Sequence, residues 1–154
     1  MRKAACLVVM LAMHLPAVAF QAKGMGFIFI EPAGLSLKMW FQRGAGFQAA
    51  AGWSSRRGNP FQVQADYQFF QRGLYQSLSS EFRFYAGAGA RLDFHSDIRV
   101  SVRIPLGLDF QSWDVPLNLF LELTPLVNLN PTVGIDLRAA LGVRYLFDGF
   151  RPGR

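Results

Sequence analysis

Apolar and polar residues alternate along most of the chain with a period of two, which is the pattern of β-strands. Helical periodicity of any length is absent. The connections between the alternating segments are turn-like, and most are short enough for hairpins. The pattern therefore predicts an all-β, up-and-down antiparallel meander of about eight strands, at 26–30, 35–42, 45–54, 61–69, 82–94, 98–110, 117–129 and 133–147.

The first two predicted strands are separated by Glu31-Pro32-Ala33-Gly34. Proline at the second place and glycine at the fourth suit a type I turn. The alternative is one long strand with a kink at Pro32.

The two faces of the predicted strands differ in kind. In the five longest segments, 34 positions fall on one face, and none of them is charged. The opposite face carries basic and acidic residues in nearly equal number, together with glycines. With Lys38 from an earlier strand, the charged candidates are Lys38, Asp66, Arg83, Arg91, Asp93, Arg99, Arg103, Asp109, Glu122, Asp136, Arg138 and Arg144.

The direction of the apolar face decides the class of protein. An eight-stranded barrel has an interior just wide enough to be filled by side chains, so it could not hold all of the apolar residues. The glycines lie on the charged face, where they would make room for a neighbouring arginine or tyrosine. We therefore predict a transmembrane β-barrel whose apolar face meets lipid and whose narrow lumen is filled by ion pairs, without a large pore.

The N-terminus has the features of an export signal. Arg2 and Lys3 precede a hydrophobic run that Pro16 ends, and Ala17-Val18-Ala19 is a small-x-small cleavage pattern. We predict a signal peptide at 1–19 and a barrel domain at 20–154. Cleavage would lower the net charge from +6 to +4 and would leave a mature chain without cysteine, so that its stability would depend on packing or on a membrane.

Short motifs resemble a family of small bacterial outer-membrane barrels of unknown function, broadly similar to OmpX and OmpA barrels. They are Glu31-Pro32-Ala33-Gly34-Leu35-Ser36-Leu37-Lys38 with Trp40, Ala51-Gly52-Trp53-Ser54, Ala65-Asp66-Tyr67 and Ile104-Pro105-Leu106-Gly107. Gly142, Tyr145 and Phe147 near the C-terminus also resemble the signal that the barrel assembly machinery reads. The resemblance implies a cell outer-membrane location and supplies no catalytic residues.

Candidate catalytic chemistry is sparse. His95-Ser96-Asp97 contains the residue types of a nucleophilic triad. Three adjacent residues in a turn cannot all converge on one reacting atom, however, and triads depend on geometry. The predicted mature chain has one histidine and no cysteine, which disfavours a metal site. We expect no catalytic, metal or cofactor site.

The expected partners are outer-membrane lipids and, during biogenesis, the barrel assembly machinery. Arg56-Arg57 could contact a polyanion, although short charged clusters are usually only solvated. Nucleic acid is disfavoured because export separates the protein from it, and the sequence names no partner for the loops.

The leading hypothesis is a non-enzymatic barrel with a structural role or a role mediated by its loops. The alternatives are an outer-membrane enzyme that hydrolyses or transfers lipid acyl groups, and a soluble periplasmic barrel that encloses an apolar ligand. The longest predicted connection, at 71–80, lies at the same end as the termini. Membrane barrels usually have their longer loops at the opposite end.

Overall fold

Nine antiparallel strands and no helix make up the described part of this computed structural model, which covers residues 20–41, 44–54, 58, 60–77, 79–112, 114–130 and 132–147. No helix in these ranges is long and apolar enough to cross a membrane. The predicted signal peptide and Arg56-Arg57 lie outside them. The strands are β1 (Phe20–Ile28), β2 (Ala33–Phe41), β3 (Ala45–Trp53), β4 (Phe61–Gln76), β5 (Ser80–Phe94), β6 (Ile98–Arg103), β7 (Leu106–Ser112), β8 (Leu117–Asn128) and β9 (Gly134–Leu146).

The strands pair in a closed ring. Apart from the step from β6 to β7, each strand pairs antiparallel with the next strand in the chain, and β9 pairs with β1 to complete the circle. β6 and β7 occupy a single position in this ring, because both pair with β5 on one side and with β8 on the other. Pro105 interrupts them because proline lacks the N–H that a central strand requires. The all-β antiparallel prediction is confirmed, and the ring has eight strand positions.

The register of the ring determines its tilt. Starting at Leu146 on β9, the pairs run through Gly24, Lys38, Gln48, Asp66, Gly89, Arg103 and Leu126, and return to β9 at Asp136. After one circuit the path is therefore displaced by ten residues along β9, from 146 to 136. This displacement is the shear of the barrel. With about 3.3 Å per residue and about 4.8 Å between strands, this register gives a tilt of roughly 40° and a backbone radius of about 8 Å. Side chains fill an interior of that width.

The structure directs the apolar face outward. Among the described residues, 35 large apolar side chains are exposed, whereas nine apolar residues are buried. The buried polar and charged residues are more numerous and include Lys38, Asp109 and Arg144, each 1% exposed or less. The two faces thus have the orientation that the sequence predicts, with the polar face inside the ring.

The strand ends differ from prediction in two places. β1 begins at Phe20 rather than at Gly26, although its first residues alternate poorly. β4 continues to Gln76 across an irregular register between Gln71 and Tyr75. The connection between β4 and β5 is therefore short, at 77–79, and the prediction of a long connection at 71–80 is wrong.

The first turn also lies earlier than predicted. Residues 29–32 connect β1 to β2, and the Glu31–Pro32 peptide bond is cis. Gly34 belongs to β2, where it pairs with Gly52 on β3. The predicted type I turn over Glu31–Gly34 is therefore wrong, while the prediction of two strands rather than one kinked strand is confirmed.

Candidate functional site

The middle of the lumen holds a cluster of ion pairs around Asp109 on β7. The Asp109 carboxylate accepts hydrogen bonds from Arg83 Nη2 at 2.9 Å and from Asn118 Nδ2 at 2.7 Å. Lys38 Nζ lies 3.5 Å from its second oxygen. Lys38 also lies over the ring of Tyr85, with Nζ 4.3 Å from the ring centroid. One carboxylate thus neutralises two buried cations, one from the neighbouring strand β5 and one from β2 across the ring.

Arg144 on β9 crosses the lumen above the ring of Phe120. Its guanidinium carbon lies 3.5 Å from the ring centroid, which is close contact for a cation–π pair. The same guanidinium donates to Ser36 Oγ at 3.0 Å, to Asn118 Oδ1 at 3.1 Å and to Gln48 Oε1 at 2.6 Å. The planar fork of arginine suits such simultaneous contacts to several acceptors, and this residue joins four strands.

A second cluster is centred on Glu122 of β8. Tyr85 donates its hydroxyl to Glu122 Oε2 at 2.9 Å, and Thr124 donates to Oε1 at 2.9 Å. Arg103 forms an ion pair with Glu122 and also lies 3.0 Å from Asp66 Oδ1. These groups are buried, so the arginine is shared between two carboxylates within the barrel.

A third group lies at the end of the barrel opposite the termini, and we call it the rim cluster: Glu31, Ser54, Asp136 and Arg138. Arg138 forms an ion pair with Glu31, which also accepts a hydrogen bond from Ser54 Oγ at 2.5 Å. Arg138 Nε donates to Asp136 Oδ2 at 2.8 Å. Two carboxylates thus flank one guanidinium.

A separate ion pair joins Arg91 and Asp93 on β5, with Nε and Oδ1 2.6 Å apart. Both side chains are buried. The pair links alternate residues of one strand on its lumen face.

Apolar side chains close the lumen between the charged groups. Trp40 and Leu146 pack together near the end that bears the termini, with Phe70 against them. Towards the other end, Ile28, Ala50, Phe120 and Ala140 form a small buried cluster. Among the described residues, the interior therefore consists of ion pairs with small apolar clusters between them.

Two inward-facing glycines make room for aromatic rings. A Cβ at Gly107 would lie 2.4 Å from Cζ of Tyr85, and one at Gly142 would lie 2.4 Å from Cε1 of Phe120. Both distances are far shorter than van der Waals contact. Gly107 and Gly142 are thus required by the rings that hold Glu122 and Arg144 in position.

Most of the predicted lumen residues are inward-facing. The structure buries Lys38, Asp66, Arg83, Arg91, Asp93, Arg103, Asp109, Glu122 and Arg144, and leaves Asp136 and Arg138 slightly exposed. Arg99 shares the strand face of the buried Ser101 and Arg103 but differs from the other candidates in its exposure. It follows the first residue of β6, next to the turn at 95–97, and its side chain is exposed at the rim.

Sequence reasoning missed several interior residues. Glu31 lies in a turn, where no alternation assigns it to a face, yet it is the partner of Arg138. Tyr85 and Phe120 lie on the polar face of their strands, and this position is the signal that could have placed them inside. The neutral interior amides were also missed: Gln48, Gln62, Gln64, Gln68, Gln111 and Asn118.

The first and last of the motifs that carry the family resemblance lie at opposite ends of the barrel. Glu31 and Pro32 form the first turn, while Gly34 lies beside Gly52 in the wall. At the other end, Tyr145 and Phe147 face outward with ring centroids 5.6 Å apart.

His95, Ser96 and Asp97 are exposed in the turn between β5 and β6. Within the described ranges, no group of three or more histidine, cysteine, aspartate or glutamate side chains could hold a metal ion. The geometry therefore adds nothing to the case for a nucleophilic triad.

Comparison with known proteins found no match for this chain among protein-family models, curated proteins or solved structures. The resemblance to OmpX and OmpA barrels thus stays a prediction that depends on short motifs.

Proposed function

We propose that the protein is an outer-membrane β-barrel with a structural role or a role mediated by its loops, exported by the segment at 1–19. The observation that carries the proposal is the inverted distribution of side chains. Exposed apolar residues cover the outside of the ring, and paired charges fill its interior. In water such an outer surface would associate with other molecules, whereas in a bilayer it is the surface that lipid requires.

The distribution of charge on the outside supports this location. Among the outward strand positions whose side chains the structure describes, Lys23 is the one charged residue, and it lies near the terminal end of β1. Charged side chains on the lipid face of a membrane barrel are tolerated near the interfaces rather than at the midplane.

Aromatic side chains also concentrate near the two ends. At the terminal end, outward rings include those of Phe82 and Phe110, whose centroids are 4.6 Å apart, and those of Tyr145 and Phe147. At the other end, Trp53, Phe61 and Phe94 follow one another across three strands at 5.3 and 6.2 Å. Two aromatic belts with aliphatic residues between them are typical of outer-membrane barrels.

The lumen supports a closed rather than a conducting barrel. An eight-stranded ring leaves only enough space for side chains. The apolar layers and the ion pairs of Asp109, Glu122 and Arg144 occupy that space.

A heat-modifiability gel after cell fractionation tests the proposal. The expected result is a protein in the envelope fraction that needs detergent for extraction and migrates differently before and after boiling. A protein released in soluble form from the periplasm, with no shift on boiling, would refute the membrane location.

A further inference from the structure

The ends of five neighbouring strands lie on one path of paired residues at the upper end of the barrel, which is the end opposite the termini. Ala33 on β2 pairs with Trp53 on β3, and Trp53 pairs with Phe61 on β4. Phe61 pairs with Phe94 on β5, and Phe94 pairs with Ile98 on β6. All of these side chains are exposed on the outside of the ring. They therefore mark the upper edge of the apolar wall.

This edge rises along the barrel axis. A path of paired residues runs at right angles to the strands, so in a tilted barrel it cannot stay at one height. With a tilt of roughly 40° and about 4.8 Å between strands, each step to the next strand raises the path by about 3 Å. Four steps separate Ala33 from Ile98. Ile98 therefore lies about 12 Å higher than Ala33.

The lower edge of the apolar wall, in contrast, stays level. Outward side chains near the terminal end include Lys23 on β1, Phe82 on β5, Phe110 on β7 and Leu117 on β8. By the same register, and with about 2.5 Å of height per residue, these four lie within about 3 Å of one another along the axis. The difference in height is therefore confined to the upper end.

The apolar wall is thus short on one side of the ring and tall on the other. Measured from the level of Lys23, it is about 18 Å tall at Ala33 and about 30 Å tall at Ile98. Val133 and Ile135, at the upper end of β9 and just before it, are 76% and 85% exposed. The tall side therefore remains apolar up to its edge. The wall drops again from β9 to β1, where residues 134–140 have no partner strand on the β1 side.

A lipid layer of uniform thickness fits only one of these sides. The hydrocarbon layer of a bilayer is about 30 Å thick, and the apolar band of membrane barrels is about 25 Å tall. Both values are close to the tall side and exceed the short side by roughly 7–12 Å. A tilt of the whole barrel would level the upper edge, but it would tilt the level lower edge by the same amount. Local thinning of the bilayer accommodates a short apolar wall at a modest cost for each ångström.

We propose that the barrel thins the lipid layer beside β1 and β2, while the layer keeps its ordinary thickness on the opposite side at β6. This proposal rests on the membrane location proposed above. The partner of the short wall is a compressed leaflet at the upper end, in which headgroups reach down to Ala33 and to the exposed Phe29 and Ile30 of the first turn. Short or disordered acyl chains fill such a leaflet most easily.

Fluorescence quenching by brominated phospholipids tests the proposal. Phosphatidylcholine vesicles contain bromine either near the headgroups or deep in the acyl chains, so that quenching locates a label relative to the lipids that contact it. The mature chain after the proposed cleavage has no cysteine, so each introduced cysteine carries one label. Ala33→Cys and Ile98→Cys place labels at the upper edge on opposite sides of the ring. Phe41→Cys and Phe110→Cys are the matched controls at the lower edge of the same two sides.

We expect all four labels to be quenched more by bromine near the headgroups than by deep bromine. A flat layer around an upright barrel would instead place the Ala33 label about 12 Å deeper than the Ile98 label, and this result would overturn the proposal. A tilted barrel would give shallow quenching at both upper positions but deep quenching at Phe41 and none at Phe110. That result would overturn the proposal as well.

Two further results distinguish other occupants of the wall from a thinned layer. An unquenched label at Ile98 alone would mean that water or another protein covers the top of the tall side, and the proposal would be wrong. Labels that are unquenched at all four positions would overturn the membrane location too. An unheated gel shift reports separately whether each variant is folded in the vesicles.

Discussion

At the residue scale, the interior depends on close contacts between glycines and rings from neighbouring strands. Tyr85 lies over Gly107 and donates its hydroxyl to Glu122. Phe120 lies over Gly142 and supports the guanidinium of Arg144. A side chain at either glycine would displace a ring, and the ring would displace a charged partner.

Gly107→Ala should destabilise the barrel by roughly 1–3 kcal/mol, the usual cost of an extra methyl group in a packed interior. The new Cβ would meet the Tyr85 ring at 2.4 Å and the Leu121 carbonyl oxygen at 2.7 Å. Urea unfolding in lipid vesicles, followed by tryptophan fluorescence, measures the change. Gly134→Ala is the control, because the nearest atom to its Cβ is 4.0 Å away. Equal midpoints for the two variants would contradict the packing argument.

Asp109→Asn should cost roughly 3–5 kcal/mol, because it leaves Lys38 and Arg83 as buried cations without their common counter-ion. The same unfolding experiment measures the loss. Asp97→Asn, in an exposed turn, should stay within about 0.5 kcal/mol of the wild type. If Asp109→Asn were as stable as Asp97→Asn, Asp109 would not be the anion that holds the cluster together.

The sequence predicts which residues face the lumen better than it predicts their partners. The alternation of side chains along a strand places Lys38 and Asp109 on the polar face. Their contact, 71 residues apart in the chain, depends on the ten-residue climb of the register around the ring. No local pattern encodes that climb. The same reasoning cannot place Glu31, since the side chains of a turn do not alternate between two faces.

At the element scale, strands are predictable where alternation is strong and are missed where it weakens. β5, β8 and β9 begin and end within two residues of their predicted limits. β1 starts six residues earlier than predicted, because Lys23 and Gly24 interrupt the apolar pattern. β4 passes through adjacent phenylalanines, Phe69 and Phe70, and an irregular register that ends the alternation without ending the strand.

The cost of placing a charge on the outer wall should depend on its depth in the membrane. Leu123→Arg, in the middle of β8, should destabilise the folded protein in vesicles by roughly 2–4 kcal/mol. Leu117→Arg, at the first residue of the same strand, should cost roughly 0–1 kcal/mol, since its charge can reach the interface. Folding titrations in phospholipid vesicles measure both. Equal costs at the two positions would argue against a bilayer around this wall.

At the scale of the whole molecule, the ring separates an apolar exterior from a charged and filled interior. Planar-bilayer recordings should accordingly show no stable, large conductance for the purified protein. Apolar layers such as that of Trp40 and Leu146 interrupt any continuous aqueous path. Recordings with a steady current like that of an open pore would show that the lumen rearranges in the membrane.

Counting β6 and β7 as one strand position, the junction that closes the ring has the fewest residue pairs. Five residue pairs join β1 to β9, whereas twelve join β8 to β9. Local opening of a protein starts where the fewest backbone bonds hold a segment. Amide protons of Met25 and Phe27 should therefore exchange with deuterium before those in the middle of β8. The barrel that closes at this junction would also open there first, into a curved sheet with β9 at one edge and β1 at the other.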